Sequence, residues 1–234
     1  MVTVRQDEPT KRPRAALSAL ALALAATAVT APTATADTAS AARPDPCTGE
    51  FRGDARLGPA NLPDPAEPPV GPLLRGYHRT GGLSARDFLA AYWKEDGPSG
   101  SGGWKYPPND GFAEVNGEVD KQVETLEPGA ELDRFGSEYG SYLAPAGDPY
   151  AKRALPPQNL NTRDTAYPCD YHRYTVTRRF DVWQGRAMPW FEQPGGGQQI
   201  KLDPALLMPG PDERLNVGWL LDHGYLAPAR DTGR

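Results

Sequence analysis

Hydrophobic positions follow three different patterns along this chain. The first is an uncharged, Ala- and Leu-rich run from Ala15 to Thr30, preceded by Lys11, Arg12 and Arg14. That order is the basic region and apolar core of a secretory signal peptide. Small residues recur as Ala34-Thr35-Ala36 and Ala39-Ser40-Ala41, so cleavage is expected after Ala36, with Ala41 as the alternative. A retained membrane anchor is the rival reading, but a span calls for about 20 strongly apolar residues, and this run is short and Ala/Thr-rich. The second pattern is nearly aperiodic. From Asp37 to Leu74 prolines repeat without hydrophobic spacing, which predicts irregular or polyproline-like chain wrapping the surface.

The third pattern begins after Gly81-Gly82. Ser84 with Asp87 forms a capping box, and Phe88, Leu89, Tyr92 and Trp93 recur at helical spacing, predicting a helix that ends by Gly97. The Gly/Ser stretch from Gly97 to Gly103 follows no strand and opens no helix. It reads as a loop and not as a dinucleotide-binding fingerprint. Beyond Trp104, short Val-, Tyr- and Phe-rich segments between turn residues predict strands at Gln122 to Leu126, Leu132 to Phe135, Tyr171 to Thr177, Phe180 to Val182 and Gln198 to Leu202. Leu215, Trp219 and Leu220 predict a last helical patch stopping near Gly224. Helices before and after a block of strands, without βαβ alternation, predict an α+β fold: an antiparallel sheet core with flanking short helices. The expected organisation is a signal peptide over 1–36, a Pro-rich extension with one helix over 37–103, and a domain over 104–234.

Charge and cysteine content narrow the class. The full chain carries a formal charge of −5, and loss of residues 1–36, with four cationic and two anionic side chains, makes it −7. An acidic protein lacks the basic footprint that nucleic acid or an anionic membrane surface requires, so neither is an expected partner. Cys47 and Cys169 are the only cysteines. In an exported, extracellular protein they are expected to form a disulfide, while a catalytic thiol lacks a histidine in protease context. His78, His172 and His223 stand at no metal-ligand spacing, so no metal is expected. Serine-hydrolase, Walker A and EF-hand motifs are absent from the sequence.

Four segments place polar and charged groups among glycines and prolines: Trp104-Lys105-Tyr106-Pro107-Pro108-Asn109-Asp110-Gly111-Phe112; Leu132-Asp133-Arg134-Phe135-Gly136; Gly140-Ser141-Tyr142-Leu143-Ala144-Pro145 leading to Arg153-Ala154-Leu155-Pro156-Pro157; and Pro189-Trp190-Phe191-Glu192-Gln193-Pro194-Gly195-Gly196-Gly197-Gln198-Gln199. In order and spacing they resemble the tuberculosis necrotizing toxin family of NAD+ glycohydrolases, over about Trp104 to Leu226. Cys47-Thr48-Gly49-Glu50-Phe51-Arg52-Gly53 and the helix after it are similar to stand-alone secreted members from fungi and actinobacteria.

The resemblance implies an ADP-ribosyltransferase-like fold and hydrolysis of NAD+ to nicotinamide and ADP-ribose, with NAD+ as substrate and no further cofactor. It places catalytic residues at Arg134, Tyr142 and Gln199, and substrate contacts at Arg134, Phe135, Gly136, Tyr142, Arg153 and Gln199. Guanidinium groups suit a pyrophosphate, and a Gln amide suits ribose hydroxyls. The catalytic glutamine is placed at Gln199 by the last Gln of the Gly-rich motif, with Gln198 as its alternative and Glu192 or Gln193 as contributors. NADP+ is a candidate second substrate, a homodimer a candidate assembly, and an inhibitor protein a candidate guard for the producing cell. Two other functions stay open at this point: transfer of ADP-ribose to an acceptor, and binding without catalysis. Taken singly, Arg134 and Arg153 read as surface ion-pair residues, Tyr142 as a core aromatic and the glycines as a loop. The joint occurrence of the four segments is what favours the site.

Overall fold

A single disulfide, Cys47 to Cys169, ties positions 122 residues apart and fixes how the N-terminal extension meets the sheet. The computed structural model describes residues 43–95 and 102–229, which lie in one compact unit running from Ala42. The expected signal peptide, and most of the Gly/Ser stretch, fall outside the described residues. The extension is not a surface wrap. Short 3-10 turns at Phe51–Gly53, Ala55–Leu57 and Gly71–Leu74 bring Leu57, Val70, Leu73 and Leu74 into the interior. Prolines at this density block regular elements, but three-residue turns need no long ladder of N–H donors, so the apolar residues between prolines still reach the core.

The helix α1 spans Ala85–Tyr92, and Ser84 accepts the backbone N–H of Asp87 as the capping box requires. It stops before Gly97 because Trp93–Lys94 leaves it as β1, pairing with β2, Gly103–Trp104. Phe88 of α1 packs with Leu57 and Phe191, which docks the extension onto the Gly-rich loop before the last sheet strand of the site. A two-stranded ribbon follows, β3 (Glu114–Val115) with β4 (Glu118–Val119).

The main sheet contains β5 (Lys121–Leu126), β6 (Glu131–Phe135), β7 (Tyr142–Pro145), β8 (Tyr171–Val176), β9 (Phe180–Arg186), β10 (Gln198–Lys201) and β11 (Leu226–Pro228). Their spatial order is β11, β8, β6, β7, β10, β9, β5, and every pairing is antiparallel. Period-two alternation puts Leu132, Leu143, Tyr174, Val182 and Ile200 in one core, shared with Val217 and Leu220 from the short helix α3, Val217–Asp222. The helix α2, Pro204–Leu207, is capped by Asp203. The opposite face around Phe135 and Tyr171 meets Val70, Leu73, Leu74 and the disulfide. The observed architecture is thus the expected α+β fold on an antiparallel sheet.

Candidate active site

The sheet divides at its centre, and a cavity occupies the division. β6 and β7 pair only through Leu132 with Pro145 and Asp133 with Ala144. Toward their connecting loop they part: Arg134 and Phe135 stay with His172 and Tyr171 of β8, while Tyr142 and Leu143 pair with Lys201 and Ile200 of β10. The cavity holds about 570 Å³ and is walled by Arg134, Phe135, Tyr142, Arg153, Gln198 and Gln199, with Tyr106, Asp110, Gly111, Tyr139, Asn159 and Arg214 among its other walls. A volume of this order suits a small-molecule site.

Arg134 bridges the division. Its Nε donates to the carbonyls of Gly136 (3.1 Å) and Ser137 (2.7 Å), and Nη1 to that of Tyr142 (2.6 Å). It forms no ion pair with a carboxylate among the described residues, and Nη2 has no protein acceptor there. Burial lowers the guanidinium's pKa, opposed by Tyr174, Asp170 and Tyr106. Three carbonyls thus hold a half-buried cation that no carboxylate among the described residues pairs directly, a combination that favours an anionic ligand. Gly140 makes the arrangement possible, since a Cβ there would lie 1.9 Å from Arg134 Nη2.

Arg153 stands on the same wall with its charge met. Its Nη1 pairs with buried Asp133, and Nε and Nη2 both donate to the Asp148 carbonyl (3.0 and 2.7 Å). Asp133 also accepts from Tyr171 Oη (2.8 Å) and the Gly147 amide (3.0 Å). Three of the five N–H groups of the Arg153 guanidinium are so engaged, two remain for a ligand, and its Cζ lies 5.2 Å from the Phe135 ring centroid. Gly136, at φ +105°, donates its N–H to the Asp170 carbonyl (2.8 Å) and so turns the chain out of β6 toward the loop.

Tyr142 lies half-buried beside Lys201; burial first, then the negative charge of Asp110, pushes its hydroxyl up to about 12. On β10, alternation buries Ile200 and turns Gln199 toward the cavity, where its Nε2 donates to the Asp110 carbonyl (2.9 Å). Gln198 also borders the cavity, its backbone N–H bound to Asp148 Oδ2 (3.0 Å). Glu192 and Gln193 point elsewhere. Glu192 accepts from Tyr92 Oη (2.8 Å), and Gln193 is buried with its amide on the His78 carbonyl (2.6 Å). His172 is buried, stacked 4.3 Å from Tyr167 and 3.2 Å from Asp170, and is not a wall of the cavity.

The sequence reading left Asp110, Gly111, Tyr139 and Arg214 without roles. The first two lay inside a segment singled out for its glycine and proline context; nothing local marked Tyr139 or Arg214, which only tertiary folding brings to the rim.

A divided antiparallel sheet with an arginine, a tyrosine and a glutamine around one cavity defines a small-molecule site suited to an anionic ligand. The model of the tuberculosis necrotizing toxin family matches residues 125–229. The conidial surface nicotinamide adenine dinucleotide glycohydrolase of Aspergillus fumigatus is 43% identical over 196 residues, covering 78% of this chain and 75% of that protein. The structure of the tuberculosis necrotizing toxin complexed with its immunity factor is similar at 26% identity and a TM-score of 0.46, over 62% of this chain and 71% of that one. The chain belongs to the tuberculosis necrotizing toxin family.

Proposed function

We propose that this chain is a secreted NAD+ glycohydrolase that hydrolyses NAD+ to nicotinamide and ADP-ribose at the divided-sheet cavity. The observation that carries the reading is Arg134: a half-buried guanidinium without a direct carboxylate partner among the described residues, lining a cavity that also presents Tyr142, Arg153 and Gln199. The 43% identical relative named as an NAD glycohydrolase supports the same chemistry. That relative's surface location and the disulfide support action outside the cytoplasm.

In this reading Arg134 Nη2 and the remaining Arg153 N–H groups bind the pyrophosphate. The Tyr142 ring packs on the nicotinamide, and Gln199 accepts a hydrogen bond from a ribose hydroxyl. The bond between C1 of the ribose and the pyridinium nitrogen breaks, its electron pair staying with nicotinamide and neutralising the ring. The leaving group therefore needs no acid. Water adds to the oxocarbenium-like C1 and loses a proton to solvent, giving ADP-ribose. Hydrogen bonds to ribose hydroxyls that strengthen in this transition state are the glycosidase pattern. The protein's task is orientation and electrostatic fit.

The test is nicotinamide release by the purified secreted chain beside three variants with verified folds. Gln199→Ala and Arg134→Ala are expected to lose activity by at least about a hundredfold, and Glu192→Ala, outside the cavity, to retain it. Full activity in either of the first two sinks the site assignment.

A further inference from the structure

We propose that the turn Asn109–Gly111 is the positioning element that fixes the catalytic orientation of Gln199, with the ion pair between Asp110 and Lys201 as its anchor. The inference rests on the glycohydrolase reading of the cavity and deepens it. A free glutamine amide has two orientations related by a half-turn, presenting either the carbonyl or the NH2 to a ligand. A main-chain carbonyl only accepts, so the contact between the Gln199 amide and the Asp110 carbonyl (2.9 Å) must be made by Nε2. That choice leaves Oε1 as the atom free to receive a ribose or water proton. The turn thereby selects which half of the amide does chemistry.

Several features show that the turn is held in place and is not an incidental loop. Asn109, Asp110 and Gly111 all have left-handed backbones (φ +55°, +56° and +83°), a conformation that glycine adopts freely and that Asn and Asp tolerate best among the other residues, so the residue types suit the turn. The Gly111 carbonyl accepts the Met188 N–H (2.8 Å), and the next residue, Phe112, is fully buried and bridges to Ala187. Asp110 Oδ2 lies 3.0 Å from Lys201 Nζ, two residues beyond Gln199 on the same face of β10. The strand that carries Gln199 is therefore pinned to the turn twice, through the amide and through the ion pair. Gly111 closes the third side: a Cβ there would stand 3.0 Å from Gln199 Oε1.

The test uses Asp110→Asn, which keeps a residue tolerant of left-handed backbone, Lys201→Met, and the double variant. Each single change is expected to lower kcat about tenfold with KM within about twofold, since misplacement of a group acts on the transition state more than on binding. The double variant is expected to be no worse than the poorer single, because both remove one ion pair. Hydrogen exchange of the Gln199 side-chain NH2, assigned by its loss in Gln199→Ala, gives a readout independent of turnover: slow in the parent, faster in both single variants. If Asp110→Asn fails to fold, Lys201→Met carries the test alone. Unchanged kcat and unchanged amide exchange, or effects that add in the double variant, overturn the proposal. A parent that releases no nicotinamide yet shows the exchange difference keeps the positioning device and removes only the glycohydrolase reading.

Discussion

Replacing Cys47 and Cys169 together by alanine is expected to weaken the fold and, through it, the site. The bond spans a sequence separation of 122, for which the chain-entropy relation gives about 5 kcal/mol at 25 °C as an upper value and native losses run from about 2 kcal/mol. For a unit of this size about 2 to 4 °C of melting temperature accompanies each kcal/mol, so a fall of about 5 to 20 °C is expected in a calorimetric scan. The site should feel the change as well. Cys169 and Asp170 carry left-handed backbones (φ +62° and +48°), the Asp170 carbonyl holds the Gly136 N–H at 2.8 Å, and the Gly136 carbonyl holds Arg134 Nε at 3.1 Å. Loss of the bond is therefore expected to lower kcat/KM at temperatures where the variant is still folded. A variant melting within about 2 °C of the parent would refute the entropic reasoning. A large fall in melting temperature with full kcat/KM would refute the path to Arg134.

Gly140→Ala brings a Cβ to 1.9 Å from Arg134 Nη2. It is expected to cut kcat/KM by about a hundredfold through displacement of the guanidinium, with steady-state nicotinamide release as the assay. Asp133→Ala strands the buried Arg153 charge and is expected to cost about 3 to 5 kcal/mol in urea denaturation, more than Asp133→Asn. Burial raises the folded-state pKa of Tyr142 to about 12 from an ordinary 10.0. Its contribution to stability is thus present below the unfolded value and lost as pH rises toward the folded one. Nicotinamide release should accordingly show no inflection at about pH 10 from this hydroxyl, and one that disappears in Tyr142→Phe would contradict the burial argument.

Much of the fold was legible locally. The capping box at Ser84 marked the start of α1, because a cap is a contact between near neighbours, whereas its end at Tyr92 falls before the Gly97 limit because Trp93–Lys94 pairs as a strand. Strands β5, β6, β8 and β10 announced themselves by apolar residues bounded by turn formers. β7 did not: Tyr142–Pro145 is only four residues long, between Gly140 and Ala146-Gly147, so turn signals outweighed the strand. β9 runs on to Arg186 beyond the expected Val182, since its later residues are half-exposed yet paired to both β5 and β10. The burial of Val70, Leu73 and Leu74 was hidden for a different reason: proline density excludes regular elements but not burial. At the site, the segments containing Arg134, Tyr142, Arg153 and Gln199 were visible as motifs, and folding brings them around one cavity. That Arg153 is paired with Asp133, and that Asp110 holds the Gln199 amide, are contacts between residues 20 and 89 positions apart, which no local pattern encodes.

The most direct measurement is the product balance of NAD+ turnover by the purified chain, with nicotinamide and free ADP-ribose quantified in the same reaction. The account expects one free ADP-ribose for every nicotinamide, and neither from Gln199→Ala. Nicotinamide release with ADP-ribose retained on protein would mark a transferase, and no turnover of either product would contradict the enzymatic reading itself.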